Sequence, residues 1–178
     1  MKYILVVLSG LGLFVSCKNP EAKIQDAIAL YNQKDDLLKE YKNGKIIKID
    51  SISDQKELNN VSAFAIALSG TYTQLANISM VNPQAVAEFI RSNPGIQIKD
   101  EAAETHSYIN KAEQYAITAA KLQLAGAQAN NNNFNYYKIS MKLSKDGAHA
   151  KDTIVDYYVS DAYEIIPWKE ITRKYLVE

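Results

Sequence analysis

The spacing of apolar residues changes along the chain, and the change predicts the architecture. Over residues 21–41, Ile24, Ala27, Ile28, Tyr31, Leu38 and Tyr41 fall near one face at intervals of three and four, the period of a helix. Asn43-Gly44 then predicts its stop, because glycine readily takes the left-handed conformation that ends helices. Residues 45–50 read as a short strand. A second stripe runs through Leu58, Val61, Phe64, Ala65, Leu68, Tyr72, Leu75 and Ile78 and predicts a helix over 54–80. Asn82-Pro83 restarts a helix to Ser92, with Asn as cap and Pro at the first helical position, and Asn93-Pro94-Gly95 stops it. Asp100 caps a long helix that buries Tyr108, Ile109, Ala112, Tyr115, Ala116, Ala119 and Leu122. Its many alanines favour helix and let a neighbour approach closely.

Four consecutive asparagines at 130–133 read as a loop, and after Phe134 the period becomes two. Tyr137, Ile139, Met141 and Leu143 alternate with Tyr136, Lys138, Ser140 and Lys142, the pattern of a strand with one buried face. Lys145-Asp146-Gly147 is a turn, and Thr153, Val155, Tyr157 and Val159 repeat the alternation. A third short strand over 163–166 and a closing helix packing Trp168, Ile171 and Tyr175 complete the chain. The expected fold is therefore α+β: a helix-rich N-terminal two thirds packed with a C-terminal antiparallel β-hairpin or small meander.

The composition changes this picture little. The 178 residues are 47% hydrophobic and 22% charged, which suits one domain with its own core. Lys+Arg and Asp+Glu are both 20, so there is no basic excess of the kind that marks a nucleic-acid face. The balance also supplies no polybasic patch for anionic lipid headgroups. Cysteine occurs once, at Cys17, which rules out an intrachain disulfide and a site built on several thiolates.

That cysteine lies where the N-terminal pattern gives it a use. Lys2 is followed by an apolar run from Tyr3 to Val15, too short to span a bilayer, which needs about 20 apolar residues, and of the length of a secretory signal. The run ends at Ser16-Cys17, and the chain turns polar at once with Lys18, Asn19, Pro20 and Glu21. Phe14-Val15-Ser16-Cys17 resembles the lipobox of bacterial lipoproteins, with Phe where Leu is commoner and Val where a smaller residue is commoner. The resemblance covers residues 1–17 only. It implies cleavage after Ser16, lipid on Cys17 and anchorage in the cell envelope. Lys18, where Asp would signal inner-membrane retention, points to an outer membrane with the domain in the periplasm or at the surface. The division that follows is a signal peptide over 1–16, the lipidated cysteine and a short tether over 17–22, and one α+β domain over 23–178.

Chemistry is sparsely signalled. Glu101 and Glu104 share a helical face, but His106 lies two positions on and faces elsewhere, so the three do not converge on a metal. His149 follows the predicted turn with no nucleophile or orienting acid near it in sequence. Asp35-Asp36 lacks the ligand spacing of a calcium loop and reads as a solvated helix face. No Gly-x-Ser-x-Gly elbow or glycine-rich phosphate loop occurs, and no motif calls for a metal or cofactor. Tyrosines stand out instead. Neighbours on a strand point to opposite faces, so Tyr136 and Tyr158 are expected on an outer face beside Asn133 and Asn135, as a recognition surface. These features together predict a membrane-anchored, non-enzymatic binding or interaction protein with an envelope protein partner, an accessory subunit or an immunity-type lipoprotein. A carrier of a small apolar or amphipathic ligand is the alternative, and an enzyme of unknown class the next.

Overall fold

The structure, a computed structural model, describes residues 19–36, 38–92, 105–145 and 152–176. Helix α1, Pro20–Lys34, begins one residue ahead of the start expected at 21, because Asn19 caps it: its side chain accepts from the Glu21 amide at 3.3 Å. The helix expected through Tyr41 ends at Lys34. Asp35 is extended, and its carboxylate accepts from the Leu38 amide at 3.2 Å, a local turn that competes with helix. Asp35-Asp36 is therefore a turn rather than a solvated helix face.

The expected stop at Asn43-Gly44 lies inside strand β1, Tyr41–Ser53, which is much longer than the 45–50 anticipated. Gly44 serves close approach here rather than helix ending. A Cβ on it would stand 2.6 Å from Met141 Sδ and 3.1 Å from Leu143 Cδ2. Register shifts at Tyr41/Asn43, Ile46/Lys48 and Ile52/Ser53 break the regularity of this edge strand, a feature that discourages edge-to-edge pairing.

Helix α2, Asp54–Val81, is capped by the Ser53 hydroxyl and carries Asp54 and Glu57 in its first turn, where the helix dipole favours them. Helix α3, Ala85–Ser92, starts two positions later than Pro83, because Asn82 accepts the Ala85 amide and closes a turn first. Helix α4, Thr105–Gln128, runs back along α2. Asn93-Pro94-Gly95, Asp100, Glu101 and Glu104 lie outside the described residues.

The α2–α4 contact is built from small residues. Ser62 Oγ donates to the Ala119 carbonyl at 3.0 Å, and seven residues on, Ser69 Oγ donates to the Ala112 carbonyl at 2.8 Å. Val61, Ala65, Tyr72, Leu75, Ala112 and Ala119 fill the seam, Leu75 at 0% exposure. Truncating such a leucine to alanine typically costs about 2–5 kcal/mol.

Strands β2, Phe134–Lys145, and β3, Thr153–Val159, complete an antiparallel sheet in the order β1-β2-β3. The expected hairpin is thus the outer part of a three-stranded sheet whose first strand comes from between α1 and α2. The third strand expected at 163–166 reduces to a single bridge, Val159 with Ile165, across a turn that holds Tyr163 at a positive φ of 64°. The turn at Asp146-Gly147 and His149 lie outside the described residues. Helix α5, Trp168–Arg173, follows Pro167 and buries Ile171.

Alternation along β2 separates two cores. Ile139, Met141 and Leu143 face α1 and pack with Ile24, Ile28, Tyr157 and Val159. The opposite face is covered at one end only, where Ile52 and Tyr136 meet Val61, Ala65, Ala119, Leu122 and Ile171. Its other end is solvent-facing and polar, with Lys138 Nζ 2.8 Å from Asp156 and Ser140 Oγ donating to the same carboxylate at 2.6 Å. The fold is α+β, as expected. Among the described residues, no helix is long and apolar enough to cross a membrane.

Candidate functional site

Two places gather polar chemistry, and the residues singled out as a recognition surface belong to the first. It forms where β1 passes into α2 and β2 begins. Asparagines at every second position of the 131–135 segment point the same way, and each finds a partner at the start of α2. Ser53 Oγ donates to Asn131 Oδ1 at 3.1 Å, Asn133 Nδ2 donates to Asp54 Oδ2 at 2.8 Å, and Asn135 Nδ2 donates to Glu57 Oε2 at 3.1 Å. The asparagine bonds to Asn133 and Asn135 hold the Asp54 carboxyl below its ordinary value.

Glu57 is 1% exposed, and its other oxygen accepts from Tyr175 Oη at 2.7 Å and from Lys174 Nζ at 3.3 Å. Tyr136 Oη is also buried in this cluster and makes no well-formed hydrogen bond among the described residues. Burial first, then the Glu57 charge, pushes the Tyr136 phenol well above its ordinary value. Burial and the bond to Glu57 do the same for Tyr175.

The expected aromatic outer face is therefore not there. Tyr136 and Tyr158 do share a face of the sheet, with their rings edge-on at 5.7 Å, but Tyr136 is 2% exposed. The cause is the cover supplied by α2, α4 and α5: Trp168 stacks on Tyr158 at 4.9 Å and meets Phe64 edge-on at 5.7 Å. Alternation showed that Tyr136 and Tyr158 point away from the α1 core. It carried no sign that a second core waits there. Asn133 and Asn135 spend their amides on Asp54 and Glu57. The cluster is a junction that pins the asparagine loop to α2.

The second place was not singled out by the sequence. Between α1 and the sheet lies a half-open groove of about 420 Å³. Its floor is Ile28, Met141 and Leu143, each at most 4% exposed, and Gly44 forms part of its wall. Asn32 lines it and is itself 7% exposed. Tyr157 Oη donates to Asn32 Oδ1 at 2.8 Å, and Asn32 Nδ2 bonds to no described residue. Burial, the larger effect, holds the Tyr157 phenol above its ordinary value, against the pull of Asn32. Gln25, Asp26, Ala29, Gln33 and Lys39 stand around the mouth. The signal available in sequence was the α1 stripe itself, in which Asn32 sits four positions after Ile28 on an otherwise apolar face.

His106 is exposed near the start of α4. Among the described residues no three His, Cys, Asp or Glu side chains group to hold a metal ion. No protein-family model, curated protein or solved structure matches this chain.

Proposed function

We propose that this chain is a lipid-anchored lipoprotein of a bacterial cell envelope that acts by binding rather than by catalysis. The observation that carries the proposal is the N-terminal pattern. A charged start, a short apolar run and Ser16 precede the chain's single cysteine, and the domain opens almost at once behind it. Helix α1 begins at Pro20, so only Lys18 and Asn19 separate it from Cys17. At no more than about 3.6 Å per residue, α1 starts within roughly 11 Å of the lipid-bearing residue. The domain is then held against the membrane surface, which Lys18 inclines toward the outer membrane. Each buried CH₂ of an acyl chain contributes about 0.8 kcal/mol, so several chains on one cysteine anchor durably.

Binding of a small amphipathic ligand is the form the geometry favours, because the α1 groove has an apolar floor and neutral amides at its edge. The envelope protein partner expected from the tyrosine face loses its surface once Tyr136 is buried. Fractionation of cells tests the anchor. The wild type stays with membranes through a high-salt wash, whereas Cys17→Ser appears unprocessed or in the soluble fraction. A Cys17→Ser protein that is processed and membrane-bound like the wild type overturns the proposal.

A further inference from the structure

We propose that the α1 groove takes a single alkyl chain ending in an uncharged hydrogen-bond acceptor, such as the ester of a monoacylglycerol. The inference rests on the carrier reading and names its ligand.

The floor decides the tail. Ile28 and Leu143 are each 1% exposed, and Met141, at 4%, is an unbranched thioether that adapts its shape to an apolar guest. Gly44 keeps this wall low: any side chain there would have to displace Met141, its Cβ standing 2.6 Å from the sulfur. A hollow of about 420 Å³ falls in the range of small-molecule sites, roughly 300–1,000 Å³.

The rim decides the head. Lys39, the cation at the mouth, is already 2.7 Å from Asp36, and Asp26 is engaged in an interaction of its own. Both side chains are exposed to water at the mouth, where an ionic partner gains little. The neutral donor that remains inside is Asn32 Nδ2, on a side chain 7% exposed whose oxygen is taken by Tyr157. A buried carboxamide with one unspent donor rewards a carbonyl or ether oxygen. It cannot repay the desolvation of a carboxylate as a cation would. The anchor supplies the setting, since α1 begins beside a membrane that holds such chains.

The test is photolabelling of the full protein in its own membranes with a monoacylglycerol that carries a diazirine on its acyl chain, and with the fatty acid bearing the same diazirine. The expected result is saturable labelling of peptides from 25–33 and 141–143 by the monoacylglycerol, and about tenfold less by the acid. Asn32→Asp is isosteric, keeps an acceptor for Tyr157 and removes the donor. It should lower monoacylglycerol labelling about tenfold. Ala29→Trp, at an exposed position on the rim, should block both probes while leaving expression and protease resistance unchanged. Equal labelling by ester and acid overturns the neutral head and leaves the carrier reading standing. Absence of groove labelling by both probes, or wild-type labelling of Ala29→Trp, overturns the carrier reading with it.

Discussion

Glu57 shows how much a single buried charge can organise. At 1% exposure a carboxylate is tolerable only with its oxygens occupied, and Asn135, Tyr175 and Lys174 reach them from β2 and the C-terminal segment. Hydrogen bonds to charged groups contribute about 1.5–3 kcal/mol, so Tyr175→Phe should destabilise the protein by that amount in urea unfolding. Tyr158→Phe, whose hydroxyl bonds to no described residue, should change stability little. The same cluster sets an alkaline limit. Burial, then the Asp156 charge, pushes the Tyr158 phenol up to about 12, and Tyr136 and Tyr175 are raised as well. A phenol with a raised folded pKa favours the folded state in its neutral form. That contribution is intact below the unfolded value of about 10 and is lost as pH climbs toward the folded values. Phenolate absorbance should therefore show these tyrosines titrating after the exposed ones, and melting temperature should fall from about pH 10 upward. Titration of every tyrosine in one step near the ordinary value would contradict the buried cluster.

At the scale of elements, the α2–α4 pair depends on small residues at its seam. Ala119 is 3% exposed beside the carbonyl that receives Ser62, so Ala119→Leu should overpack the seam and cost at least about 1–3 kcal/mol. Gly70 lies on the same helix with nothing within 4 Å of where its Cβ would be. Gly70→Ala should stabilise by about 0.5–1 kcal/mol, read from the same unfolding curves. A loss of stability in Gly70→Ala would mean that this face of α2 is covered. The helices that could be read in the sequence were those whose stripes are long. α2 appears close to its expected bounds, because cap, period and burial agree there, while α4 is described from Thr105 and leaves Ile109 and Ala116 of its expected buried face exposed. The end of α1 was not legible, because a leucine and a tyrosine continue its stripe past Lys34 while Asp35 turns the backbone aside. The length of β1 was hidden by Gly44, which resembles a helix stop and instead makes room for Met141.

At the scale of the molecule, fold class was legible and site was not, and the reasons differ. A change of period from helix to strand is local and survives in one sequence. Whether the second face of a sheet meets solvent or helices is a tertiary matter, and the outer-face reading of Tyr136 failed on it. The α1 groove likewise exists only because a helix from one end of the chain lies over strands from the other. In the function proposed above, what the whole molecule does depends most on its first residues, since a lipid on Cys17 would place the groove beside a membrane. The mass of the N-terminal peptide released from purified membranes tests that claim most directly. The account predicts a peptide that begins at Cys17 and carries diacylglycerol. A peptide that begins at Met1, or one cleaved elsewhere with an unmodified Cys17, would contradict it.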